Sequence, residues 1–117
     1  AEGAKDRMQV LKAQLAAIFS NDGFKSMGNH DTILAYEPGW AIGSGKAAQP
    51  QDVAETLTQL KSWLATNKSP SQVGPSWCYG GSVGKGNMEG FLQTAAIDGL
   101  LVGRASFDEA VMREMLT

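Results

Sequence analysis

Apolar residues recur at helical spacing in four segments of the chain. Intervals of three and four residues between apolar positions are the period of an amphipathic helix, whose apolar stripe faces a protein core. The predicted helices are residues 5–19 with Met8, Leu11, Leu15 and Ile18; residues 50–66 with Val53, Leu57, Leu60 and Leu64; residues 87–96 with Met88, Phe91, Leu92 and Ala95; and a last helix with Phe107, Val111 and Met115. We expect the last helix to begin at Ser106, because Glu109 three residues later completes a capping box.

Three short apolar runs lie between the predicted helices, at residues 32–36, 77–79 and 100–102. A continuous apolar run of this length is typical of a strand covered on both faces in a parallel sheet. The resulting order α-β-α-β-α-β-α predicts an α/β fold with right-handed crossovers, three parallel strands and four helices. Three strands cannot close a barrel, and one face of so small a sheet would be exposed to solvent. We therefore expect the chain to be part of a larger structure.

Composition narrows the class of protein. The 117 residues carry ten Lys and Arg against twelve Asp and Glu, a formal charge of −2, which argues against nucleic-acid and anionic-membrane partners. The single cysteine, Cys78, is expected to be buried in its strand, and the lack of a disulfide partner favours a cytoplasmic location. No apolar run reaches the roughly 18–20 residues of a membrane span. The chain starts at Ala1 and enters a helical pattern almost at once, so we expect its beginning to be missing.

Unusual loops follow all three predicted strands. They are Glu-Pro-Gly-Trp-Ala-Ile-Gly-Ser-Gly-Lys at 37–46, Gly-Gly-Ser-Val-Gly at 80–84 and Gly-Arg-Ala-Ser at 103–106. In parallel α/β folds the functional loops follow the carboxyl ends of the strands. Small residues let backbone N–H groups converge on an anion, and a helix start after the third loop would add a favourable dipole. The three loops together predict a site for a phosphate-sized anion.

The Gly-Ser-Gly-Lys sequence at 43–46 also suggests a nucleotide-binding phosphate loop, but it does not satisfy that motif. The motif needs a glycine at position 40 and a serine or threonine at position 47. Trp40 and Ala47 stand there instead, so we reject a nucleotide-binding loop.

Four linked motifs resemble the triosephosphate isomerase family. They are Ala-Tyr-Glu-Pro at 35–38, Trp-Ala-Ile-Gly-Ser-Gly-Lys at 40–46, Tyr-Gly-Gly-Ser-Val at 79–83 and Asp-Gly-Leu-Leu-Val-Gly at 98–103, in the order and spacing of the C-terminal half of that family. The resemblance implies that residues 1–117 form the C-terminal portion of a (β/α)8 TIM barrel, from its fifth helix onward. It implies interconversion of dihydroxyacetone phosphate and glyceraldehyde 3-phosphate through an enediolate, with no metal or other cofactor.

The resemblance also implies roles for individual residues. Glu37 matches the catalytic base, and Gly43, Ser82 and Gly103 match positions whose backbone N–H groups hold the substrate phosphate. Arg104 stands where a second glycine is usual, which puts a guanidinium near the phosphate loop. The residues that match the lid over the substrate are Pro38, Gly39, Trp40, Ala41, Ile42, Ser44, Gly45 and Lys46.

Departures from the family leave alternatives open. The lysine and histidine that polarise the substrate carbonyl belong to the half of the barrel that is absent, and His30 does not replace the histidine because it precedes a strand. Gly39 at the lid hinge and Arg104 both depart from the family pattern, so an isomerase of a four-carbon ketose phosphate is an alternative. A non-catalytic half-barrel is another. It would bind an N-terminal half-barrel or self-associate, although the family is usually a homodimer through the absent half.

Overall fold

Helices and strands alternate along the computed structural model, which describes residues 4–23, 32–39, 48–67 and 75–117. In chain order the elements are α1 (Ala4–Phe19), β1 (Ile33–Tyr36), α2 (Pro50–Asn67), β2 (Ser76–Gly80), α3 (Met88–Leu92), β3 (Gly99–Leu101), a 3-10 helix (Arg104–Phe107) and α4 (Glu109–Leu116). Within the described residues this confirms the predicted α/β fold of three strands and four α-helices. None of these helices is long and apolar enough to cross a membrane.

The three strands form one parallel sheet in the order β1-β2-β3. Ile33 pairs with Ser76 at the start of the sheet, and Tyr36 pairs with Tyr79 near its carboxyl end. Because parallel neighbours need a crossover connection, α2 lies between β1 and β2 in the chain. The carboxyl ends of all three strands therefore lie at the same edge of the sheet.

One face of the sheet packs against the helices. The predicted apolar stripe of α2 is buried along its whole length, from Val53 to Leu64, as its spacing predicts. On β2, Trp77 and Tyr79 point into the same core, and the Tyr79 ring stacks on Phe91 of α3 with ring centroids 4.3 Å apart. The stability of the chain rests on this face, since burial of apolar surface is the main favourable term in folding.

The opposite face of the sheet is open. Along β1 the side chains alternate between open and packed positions, so Ile33 and Ala35 are exposed while Leu34 and Tyr36 are half-buried. Ile33 is 67% exposed. In the described residues helices pack on only one face, so the apolar run does not mark a strand that is covered on both faces within this chain. The expectation that three strands leave one face exposed to solvent is confirmed. Cys78 shares the open face and is half-buried rather than buried.

The ends of several helices differ from the predictions. In α1 the buried residues are Leu15 and Phe19, whereas Ile18 is exposed, so the stripe turns toward Phe19 at its end. The helix α3 ends at Leu92, well before the predicted Ala96.

The start of α4 also differs, since its N-cap is Asp108, whose carboxylate accepts a hydrogen bond of 3.2 Å from the Val111 N–H. The predicted N-cap, Ser106, lies in the preceding 3-10 helix, where its hydroxyl donates to the Gly103 carbonyl at 2.6 Å. The ring of Phe107 is 88% exposed and does not join the apolar face of α4.

Candidate active site

Glu37 directly follows β1 and continues the open face of the sheet. It comes two residues after Ala35, so its exposed side chain extends the alternation by which Ile33 and Ala35 face away from the helices. Across the sheet, a Cβ atom added to Gly80 would lie 3.0 Å from the Glu37 Oε1 atom and 3.2 Å from the Leu101 Cβ atom. A glycine at position 80 is therefore what lets the Glu37 carboxylate lie over β2.

A cavity of about 740 Å³ lies at the carboxyl ends of the strands. It brings together four of the residues predicted from the sequence, namely Glu37, Ser82, Gly103 and Arg104. The side chains and backbone that line it come from the end of β1, from residues 80–83 and from residues 101–105. The three strand ends thus contribute to one concave site, which is where ligands bind in parallel α/β folds.

The predicted lid lies largely outside the described residues. Gly43 and the lid positions Trp40, Ala41, Ile42, Ser44, Gly45 and Lys46 all belong to residues 40–47, which the structure does not describe. Of the two described lid residues, Pro38 is buried and Gly39 is exposed. A Cβ atom at Gly39 would meet no atom within 4 Å, so the predicted hinge has open space around it among the described residues.

The loop after β2 has an unusual backbone. Ser82 adopts a φ of 50°, in the left-handed region that few residues other than glycine adopt, and Gly81 before it has a φ of 154°. Such conformations persist only where the surroundings hold them, and they concentrate at functional sites. The Asn87 side chain hydrogen-bonds this loop at two points, to Ser82 and to Gly84. Sequence analysis did not single out Asn87.

The hydroxyl of Tyr79 supports the site from inside the core. It donates a hydrogen bond of 3.0 Å to the Gly81 carbonyl and accepts one of 2.9 Å from the Ala48 N–H. Ala48 is the first described residue after the lid, and Tyr79 is fully buried. A buried tyrosine hydroxyl needs such partners. Tyr79 therefore joins Ala48, two residues after the predicted lid, to the loop after β2, a role that its apolar run did not reveal.

The loop after β3 differs from the expected helix start. Gly103 leads into a single turn of 3-10 helix, and α4 begins only after Asp108. The prediction that an α-helix begins directly after this loop is therefore wrong, and no α-helix dipole is directed at Gly103. Arg104 is exposed at the first position of the 3-10 turn and lines the cavity.

Two groups near the sheet have perturbed ionisation. Burial raises the pKa of the Tyr36 phenol, an effect that the positive charge of Arg7 partly opposes. Burial, reinforced by the nearby Asp98 carboxylate, raises the pKa of the Cys78 thiol. Both shifts favour the neutral form, which a phenol and a thiol already adopt near pH 7. Among the described residues, no group of three or more His, Cys, Asp and Glu side chains could hold a metal ion.

Parallel strands covered by helices on one face, with a cavity at their carboxyl ends, define a parallel α/β fold whose candidate site lies where such folds bind ligands. The family model described as triosephosphate isomerase matches residues 1–117. The chain therefore belongs to the triosephosphate isomerase family, and the resemblance drawn from its four motifs is confirmed.

Individual relatives agree with this assignment. Over 114 residues the chain is 36% identical to the triosephosphate isomerase of Vibrio sp. (strain ANT-300), covering 97% of this chain and 45% of that protein. It is 38% identical over 114 residues to the triosephosphate isomerase of Entamoeba histolytica, covering 97% of this chain and 43% of that protein. A protein of Gracilaria gracilis named "Triosephosphate isomerase, cytosolic" is 47% identical over 78 residues, which are 65% of this chain and 31% of that protein. The chain spans less than half the length of these relatives.

Proposed function

We propose that this chain is the C-terminal half of an aldose–ketose isomerase that interconverts dihydroxyacetone phosphate and glyceraldehyde 3-phosphate. The observation that carries the proposal is the shared cavity, in which the Glu37 carboxylate lies beside the loops of Ser82 and Gly103. A base and an anion-binding backbone within one site are what proton transfer on a phosphorylated sugar requires. The remaining strands of the barrel would supply the groups that polarise the carbonyl.

In this proposal Glu37 moves one proton between two neighbouring carbons of the substrate. Its carboxylate takes the proton from the carbon beside the carbonyl, which leaves an enediolate. The hydroxyl proton passes from one enediolate oxygen to the other and the carboxylate returns its proton to the adjacent carbon, so the carbonyl and the hydroxyl exchange places and no atom or electron is lost. Closure of the lid over residues 38–46 would remove water and make the carboxylate a stronger base. A carboxylate base under a closing loop is the mechanism known for triosephosphate isomerases in general. No metal or other cofactor is needed.

The phosphate of the substrate is assigned to the glycine-rich loops. Backbone N–H groups at Gly43, Ser82 and Gly103 would bind its oxygens, and Arg104 would add a charge-assisted contact. Support comes from the described part of the cavity, which Ser82, Gly103 and Arg104 line together. Binding energy from the non-reacting phosphate can then drive closure of the lid.

Two further candidates have support from specific features. Arg104 in the cavity favours a related isomerase of a four-carbon ketose phosphate, since a guanidinium adds a recognition group where the family has glycine. The open face, with Ile33 and Leu101 exposed, favours a half-barrel that acts by assembling with an N-terminal half or with itself. A cytosolic location is proposed from the name of the Gracilaria gracilis relative and the single cysteine.

The test is to combine this chain with the N-terminal half of the Vibrio relative and to measure isomerisation of dihydroxyacetone phosphate and of a four-carbon ketose phosphate. We expect activity on the first substrate from the combined halves and none from the chain alone. Glu37→Gln should lower that activity by roughly 10²–10⁴-fold, the usual contribution of a general base. The matched control is Glu109→Gln, an exposed carboxylate on α4 that pairs with Arg113 outside the cavity.

Each alternative outcome has a clear meaning. Preference for the four-carbon substrate would assign the chain to the related isomerase. Combined halves that assemble without turnover would favour the non-catalytic half-barrel. Activity that survives Glu37→Gln unchanged would remove Glu37 from the role of base.

A further inference from the structure

Asn87 lies at the start of α3 and is half-buried against the loop after β2. Asparagine at this position commonly caps a helix, by accepting a hydrogen bond from one of the first free N–H groups of that helix. Here the side chain makes no such bond to α3. Its side chain forms hydrogen bonds with the loop instead. We therefore infer that Asn87 stabilises the loop rather than the start of the helix.

Both ends of the Asn87 amide contact the loop. The Oδ1 atom accepts a hydrogen bond of 2.9 Å from the Gly84 N–H, and the Nδ2 atom donates one of 3.0 Å to the Ser82 carbonyl. The backbone closes the same turn, since the Asn87 and Met88 N–H groups both donate to the Gly84 carbonyl, at 3.2 and 3.0 Å. Asn87 therefore holds the loop from both sides of Val83.

These bonds act on the residue with the unfavourable backbone. Ser82 has a φ of 50°, a left-handed conformation that is unfavourable for a residue with a Cβ atom, so other contacts have to offset its cost. Because a trans peptide is planar, fixing the Ser82 carbonyl toward Asn87 also fixes the Val83 N–H in the opposite direction. Ser82 and Val83 both line the cavity that holds Glu37. The side chain of Asn87 thus determines how the backbone of this loop is presented to the cavity.

We propose that Asn87 is a positioning residue for phosphate binding. It holds the loop of Ser82 in its left-handed conformation, so that the backbone N–H groups are arranged for the anion before it arrives. This inference rests on the proposed function, because it assigns the anion at that loop to a phosphate group. The ion pair between Lys85 and Glu114, 2.8 Å long, also joins this segment to α4, but both side chains are largely exposed and such pairs contribute little.

The experiment is a titration of the 117-residue chain with inorganic phosphate, followed by the amide NMR signals of residues 82–84. Asn87→Ala removes both side-chain bonds, and Asn87→Ser removes them while keeping a residue that suits a helix start. The matched control is Thr94→Val, which removes a hydrogen bond of 2.9 Å to the Phe91 carbonyl in the same segment, outside the cavity. We expect phosphate to bind roughly tenfold more weakly to both Asn87 variants, about the effect of one lost hydrogen bond, and with unchanged affinity to Thr94→Val.

Hydrogen exchange of the Gly84 amide, measured without phosphate, tests whether Asn87 orders the loop before any ligand binds. We expect faster exchange in both Asn87 variants and no change in Thr94→Val. An Asn87→Ser chain that binds phosphate as tightly as the unmodified chain would overturn the inference, even if it melts at a lower temperature. If phosphate does not shift the amide signals of residues 82–84 in the unmodified chain, the phosphate site of the proposed function is contradicted. The role inferred for Asn87 would then be contradicted as well.

Discussion

The two faces of the sheet differ in what they contribute. The covered face packs against the helices, and there Tyr79 of β2 and Phe91 of α3 are fully buried. The open face carries Ile33, Ala35 and, at its carboxyl end, Glu37, all of them exposed. Successive side chains of β1 point to opposite faces of the sheet. One set packs in the core and supports stability, while the other set leads to Glu37 and the candidate site. A change at one position should therefore affect stability or activity according to the face on which it lies.

The largest effect is expected at the centre of the covered face. Phe91→Ala removes a fully buried ring that stacks on Tyr79, and it should lower the free energy of unfolding by about 3–5 kcal/mol. Leu92→Ala is the control, since Leu92 is its exposed neighbour and should cost much less. The measurement is urea denaturation of the chain followed by circular dichroism. Equal losses for the two variants would contradict the assignment of the core to this face.

The next largest effect is expected where the open face meets the site. Gly80→Ala would place a Cβ atom 3.0 Å from the Glu37 Oε1 atom, so the carboxylate has to move. A displacement of about 1 Å at a reacting group can cost about 100-fold in rate, and we expect a loss of that order in the combined halves. Gly86→Ala is the control, because a Cβ atom there meets nothing within 4 Å. Full activity of Gly80→Ala would show that the position of the carboxylate does not limit the reaction.

A smaller effect is expected from the hydroxyl that joins the two regions. Tyr79→Phe keeps the ring in the core but leaves the Ala48 N–H and the Gly81 carbonyl without this partner. We expect a loss of about 1–3 kcal/mol in the free energy of unfolding, because buried polar groups lose a hydrogen bond. Urea denaturation measures the loss, and faster amide exchange at Ala48 would locate it. Unchanged exchange at Ala48 would contradict the connection to the lid.

The smallest effect on stability is expected on the open face itself. Ile33→Thr replaces an exposed apolar side chain with a strand-forming polar one, so the free energy of unfolding should change by no more than about 0.5 kcal/mol. Self-association should nevertheless weaken, because the exposed apolar surface shrinks. Analytical ultracentrifugation of the chain before and after the change tests this expectation. A large loss of stability in a chain that stays monomeric would mean that Ile33 is packed.

Sequence patterns predicted the covered face better than the open one. The stripe of α2 and the three strands follow from local spacing. The loop that begins at Glu37 was singled out by its place after a strand, whereas the role of Glu37 as base came from the family resemblance. An exposed face of the sheet was expected, but the apolar run 32–36 does not alternate with polar residues, so it did not indicate that Ile33 lies on that face. Ser106 was mistaken for a helix cap since its hydroxyl instead bonds the Gly103 carbonyl within its own turn. Tyr79 was overlooked because its hydroxyl bonds Ala48, a residue far away in the chain.

The two hydrogen bonds of the Tyr79 hydroxyl have a consequence for exchanging loops between relatives. A hydroxyl has one proton, and here it is donated to the Gly81 carbonyl, so the same oxygen accepts from the Ala48 N–H. A lid transplanted from another protein would keep this arrangement only if it presented an N–H group at the position of Ala48. A predicted lid taken from another protein should therefore be transplanted together with Ala48, with the loop after β2 and with the tyrosine that joins them.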